Sequence, residues 1–149
     1  MAETNNTLEV LQNLIQTCRD GEDGYIHAAA LVSDPGTKSY FQEQSLERAR
    51  FVKELKTEAE KLGEHKPDTG GSIAGTLHRT WFEAKAEVGL GDKSVLNSVE
   101  SGEDTAKKAY EDALASVLPE NVRELVRRQA QRVIAAHNHV RSLRDSKAA

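Results

Sequence analysis

The chain has 149 residues, a length that suits one domain with a substantial core. Ala, Leu, Glu, Lys, Arg and Gln dominate and only three prolines occur, which favours helix over a strand-rich fold. The formal charge of -4 argues against general nucleic-acid binding, and the lack of any run of about 18 apolar residues argues against a membrane span.

That charge is uneven. Residues 119–149 hold seven Lys/Arg against three acids, so +4, and residues 1–118 carry the remaining -8. A solvated helix face is the plain reading, and a docking face for an acidic partner or a second copy is the sharper one. Cys18 is the only cysteine, so no intrachain disulfide can form and a reducing, cytoplasmic setting fits. It lies on an apolar stripe and reads as a small core residue. The opening "MAETNNTLEVL" has neither the basic nor the apolar region of a signal peptide.

In chain order, the first predicted helix covers about 7–33, with Leu8, Leu11, Ile15, Cys18, Tyr25, Ala29 and Val32 on one seam and Thr7 as N-cap. "SDPG" at 33–36 stops it, because Pro35 forces its predecessor out of helical geometry. The second spans about 38–62 and ends at Gly63, a suitable C′ residue. A shorter helix, 72–88, is capped by Ser72. Asp92 caps the next, 92–117, with Leu96, Val99, Ala106, Tyr110, Ala113 and Val117 on its seam. Pro119, at a first helical turn, opens the last, 119–145. Short turns make two antiparallel hairpins, and about 28 residues with their own helix join them. That is the single-domain, all-α, ferritin-like form of the four-helix bundle, with one long crossover.

Polar residues interrupt the seams. Glu22 falls between Cys18 and Tyr25, and Glu103 between Val99 and Ala106, each within a "GED" triplet. The two segments superpose at an offset of 81, and "ERARFV" (47–52) superposes on "QAQRVI" (129–134) at an offset of 82. Antiparallel hairpins then bring Glu22 level with Glu47, and Glu103 level with Gln129 and Arg132. The predicted site is a polar layer at mid-height: Glu22, Glu47, Arg50, Glu103, Gln129 and Arg132, flanked by Tyr25, Tyr110 and His137.

This arrangement is similar to the ferritin and rubrerythrin superfamily, whose di-iron members repeat a Glu and a Glu-x-x-His across two hairpins. More closely, the chain resembles an uncharacterised bacterial family of ferritin-like four-helix-bundle proteins. The resemblance rests on "RDGEDGYIHAA", "LERARFVKEL", "GSIAGTLHRTW", "ESGEDTAKKAYEDAL" and "HNHVRSLRD" and covers nearly the whole chain. It implies no assigned activity. Against the di-iron pattern, Glu22, Glu47 and Glu103 match carboxylate ligands, Gln129 replaces the fourth, and Arg50 and Arg132 stand at the histidine positions. Arginine stays protonated and offers no lone pair. No metal cofactor is therefore expected, and Arg50 and Arg132 are expected to neutralise the buried acids. Arg50→Leu alone should then be strongly destabilising. The alternative is iron or another divalent metal held by Glu22, Glu47 and Glu103, with His137 assisting, as in an iron-handling protein or oxidase.

Other constellations are weaker. His137 and His139 lie two apart and point to different faces, which makes a poor chelate and favours surface or capping roles. His78 and Trp81 suit packing of the short helix. "DGEDG" lacks the alternating acids of a calcium loop, and "TGGSIAG" lacks the lysine of a phosphate loop. The expected function is non-enzymatic: association as a homodimer or with a protein partner, without nucleic acid or membrane.

Overall fold

The computed structural model describes residues 2–63 and 91–146, with side chains from Asn6 onward. They form four helices: α1 (Ala2–Leu31), α2 (Pro35–Lys61), α3 (Asp92–Ala115) and α4 (Glu120–Ser146). The sequence-predicted helix 72–88, with Ser72, His78 and Trp81, lies outside the described residues.

The helix ends show where local signals act. Asp34 is extended (φ -70°, ψ 120°), and its carboxylate accepts from the Thr37 N–H and the Thr37 hydroxyl, both at 2.8 Å. Pro35 therefore opens α2 at its first position, three residues before the predicted start at 38. Thr7 does not cap α1. The helix begins at Ala2 and Thr7 is buried within it. Gly63 takes φ +98° past the end of α2, as expected of a C′ glycine.

Asp92 is likewise not the cap of α3. Gly91 occupies that place at φ +110° and provides no side chain, while Asp92 is the first helical residue. Its carboxylate accepts from the Ser33 N–H (2.9 Å), the Ser33 hydroxyl (3.1 Å) and the Asp34 N–H (3.0 Å), tying α3 to the α1–α2 turn. Pro119 precedes α4, and its carbonyl accepts from the Arg123 N–H at 2.8 Å. The Arg123 guanidinium donates to the carbonyls of Leu114 (3.0 Å) and Ser116 (2.8 Å), closing the end of α3.

The architecture is an all-α four-helix bundle, as the connections predict. α1 packs on α2, α3 on α4, and α1 on α3, while α2 and α4 meet more loosely than these three pairs. Since Asp92 meets the turn that starts α2, and Asn121 Nδ2 donates to Glu58 Oε1 near the end of α2 at 2.8 Å, α2 and α3 run parallel. α2 therefore ends, and α3 begins, at opposite ends of the bundle. No described helix is long and apolar enough to cross a membrane.

Among the described residues the buried apolar side chains form two clusters rather than one. The larger joins Leu11, Leu14, Phe51, Leu55, Val122 and Val126 with their neighbours. The smaller contains Tyr25, Val32, Phe41, Leu96, Val99 and Val140. Gly21, Glu47, Arg48 and Glu103 are also buried, and in sequence they fall between the residues that each helix gives to the two clusters.

Candidate functional site

The layer between the clusters is built on Arg48 and Glu103. Arg48 lies on the stripe of α2 that includes Phe41, Ser45, Val52, Leu55 and Ala59, all buried. Its side chain is 1% exposed and that of Glu103 is 0% exposed. Arg48 Nη2 donates to Glu103 Oε2 at 2.6 Å. The Tyr25 hydroxyl donates to the same oxygen. The guanidinium carbon sits 5.4 Å from the Tyr25 ring centroid, a cation–π contact. Gly21 makes room for this: a Cβ there would meet Arg48 Nη1 at 2.8 Å.

Electrostatics follow from the sealing. Burial opposes the charge on Arg48, but the Glu103 carboxylate, helped by the surrounding groups, holds its pKa above the ordinary arginine value. Burial first, and then the negative charge of Glu103, pushes the Tyr25 hydroxyl well above the usual tyrosine range, so it stays protonated as a donor. Glu103 Oε1 and Arg48 Nε and Nη1 are buried without a hydrogen-bond partner among the described residues. Such a pair is sensitive to loss of either member, because the survivor is a charge out of water.

A second chain of contacts adjoins it. The Cys18 thiol and Tyr110 hydroxyl are 3.0 Å apart, and Tyr110 donates to Gln129 Oε1 at 2.7 Å. Gln129 Nε2 donates to Glu54 Oε1 (2.9 Å) and to the Phe51 carbonyl (3.4 Å). Burial pushes the Cys18 thiol up to about 11 and the Tyr110 hydroxyl well above its usual value, so both remain protonated at neutral pH. Cys18 is thus a core residue, as its stripe position predicts.

The structure corrects the predicted layer in three places. Arg50 and Arg132 do not enter the core; their side chains are 59% and 63% exposed. They reach Glu47 from outside, Arg50 Nη2 at 3.0 Å and Arg132 Nη2 at 2.6 Å, both on Oε2. A long guanidinium stem lets the charge stay in water while meeting a carboxylate at the core's edge. Glu22 is only half-buried, and no ion pair to it forms among the described residues. The two "GED" segments are therefore used differently. Glu103 has Arg48 facing it from α2, whereas at the offset of 82 the residue of α4 matching Arg48 is Ala130. Glu47, Glu103 and Gln129 are buried, and so are the flanking Tyr25 and Tyr110; His137, expected at the surface or in a capping role, is buried as well.

His137 and His139 do face apart. His137 Nε2 lies 2.6 Å from Asp104 Oδ1 and 3.8 Å from Glu100 Oε2, while His139 packs on Tyr40 with ring centroids 4.3 Å apart. Glu100 also meets Arg141 Nε at 3.2 Å and Arg144 Nη1. Glu22, Glu47 and Glu103 do not converge, and among the described residues no group of three or more His, Cys, Asp or Glu is placed to hold a metal ion.

Sequence reasoning missed Arg48. The template of a Glu followed three residues later by a ligand pointed from Glu47 to Arg50. The signal that could have found it is the apolar stripe itself, since Arg48 stands where Phe41, Val52 and Leu55 set the spacing.

Fold and layer together define a four-helix bundle whose interior is bridged by a sealed arginine–glutamate pair. The chain belongs to the family described as Domain of unknown function (DUF2383), whose profile matches residues 6–116 and so includes Gly21, Tyr25, Arg48 and Glu103. No curated protein matches the chain.

Proposed function

We propose that the protein is a non-enzymatic, ferritin-like bundle of the cytoplasm that acts by association, with a second copy or a protein partner. In this reading a charge pair stands in place of a metal centre. The observation that carries it is the Arg48–Glu103 pair, sealed at mid-bundle. A guanidinium cannot ligate a cation and repels one. Two hairpins whose junction joins opposite ends of the bundle support the ferritin-like assignment. Exposed arginines of α4, among them Arg127, Arg128 and Arg132, offer a basic surface for association.

The test is metal analysis of protein purified without chelator, an anaerobic iron titration, and light scattering over a range of protein concentration. We expect substoichiometric metal and a concentration-dependent mass or a captured partner. Stoichiometric tight iron binding that is lost in Glu22→Ala and Glu103→Ala would replace this reading with an iron-handling one.

A further inference from the structure

The seam between α2 and α4 is packed more loosely than the α1–α2, α3–α4 and α1–α3 seams. It is bridged by polar and aromatic pairs: Tyr40 with His139, Glu47 with Arg132, Glu54 with Gln129, and Glu58 with Asn121. Residues 40, 47 and 54 recur at sevens, so one face of α2 presents them in a row. At mid-height the seam opens into a cleft of about 390 Å³. Buried Phe51 and Gln129 line it together with Arg50, Arg128 and Arg132.

The charges in this cleft do not cancel. Arg50 and Arg132 both converge on Oε2 of Glu47, so two cations share one carboxylate. Arg128 also lines the cleft, is exposed, and has no ion pair among the described residues. The remaining acid, Glu54, has its Oε1 turned to the Gln129 amide at 2.9 Å. Three guanidinium groups against two carboxylates leave one positive charge in a concave site. Arg50 gives one nitrogen to Glu47, and Arg132 gives two, so most of their five N–H donors remain.

We infer that the α2–α4 cleft binds an oxyanion, specifically the phosphate group of a small ligand. Planar guanidinium forks fit the oxygen pairs of a phosphate, and convergent arginines bind it better than isolated ones. The site borders the polar layer through Glu47 but includes neither Arg48 nor Glu103, and it does not depend on the bundle's being non-enzymatic.

The experiment is a titration of the intact protein with inorganic phosphate and with pyrophosphate at low ionic strength, read by calorimetry and by the arginine Nε–H signals in NMR. The expected result is saturable binding with millimolar or tighter dissociation constants and shifts confined to Arg50, Arg128 and Arg132. Arg128→Gln and Arg132→Gln should each weaken binding about tenfold, while Arg127→Gln leaves it unchanged. Arg128 is exposed, so its variant should remain folded and keep the test decisive. Absence of saturation by about 20 mM, or equal affinity in Arg128→Gln and Arg127→Gln, overturns the inference.

Discussion

Arg48 on α2 and Glu103 on α3 meet at 2.6 Å with neither side chain reaching solvent. These helices lie diagonally across the bundle, so the contact crosses the whole interior. In water two such groups attract weakly; here each is the other's chief compensation for lost hydration. Arg48→Met or Glu103→Leu alone should cost about 3–5 kcal/mol in a denaturant melt. The double variant should recover most of that loss, since it leaves no orphaned charge. Additive losses in the double variant would show that the two do not act as a pair.

Arg50 gives the contrasting case. Its side chain is 59% exposed and shares Glu47 with Arg132. Arg50→Leu should change stability by no more than about 1 kcal/mol, as for other exposed ion pairs. A loss as large as that of Arg48→Met would contradict the positions described for these two arginines.

Gly21 should reverse an ordinary rule. Gly→Ala inside a helix usually stabilises by roughly 0.5–1 kcal/mol. At position 21 the added Cβ would lie 2.8 Å from Arg48 Nη1, and that guanidinium is held by Glu103. We expect Gly21→Ala to destabilise the wild-type background and to stabilise the Arg48→Met, Glu103→Leu background. Thermal melts of the wild type and the three variants check both signs.

Asp20 sets a dependence on pH. Burial raises its carboxyl from 3.8 to about 7, against the lowering effect of a hydrogen bond from Gln16 Nε2 at 3.2 Å. The folded state therefore holds the proton more tightly than the unfolded state. Its contribution to stability falls as pH rises from about 3.8 toward 7, and is level above that. Asp20→Asn should remove this slope and raise stability at pH 8 by roughly 1–2 kcal/mol. Urea melts of both proteins at pH 5 and pH 8 measure the difference.

Much of the fold was legible because its signals are local and periodic. Apolar residues spaced three and four apart marked the seams, Pro35 and Pro119 marked the turns, and short turns required antiparallel hairpins. Glu103 was legible for the same reason: a charged residue between Val99 and Ala106 has no route to solvent. Arg48 was missed because a site template took precedence over the stripe on which it stands. The exposure of Arg50 and Arg132 was harder to read, since the looseness of the α2–α4 seam depends on how four helices settle together. The role of Asp92 also depends on tertiary partners, Ser33 and Asp34, and capping rules see only neighbours in the chain.

Among the described residues the apolar core is split into two clusters with charge between them, and this bears on how many alignments the helices can adopt. Leucine and valine tolerate a slide of one helical turn, because one greasy side chain replaces another. A sealed guanidinium does not, because a slide of about 5.4 Å would leave it facing hydrocarbon. We expect the Arg48→Met, Glu103→Leu double variant to retain its helix content while its amide spectrum broadens or doubles. On that view the pair contributes less to how tightly the helices hold than to which single register they hold.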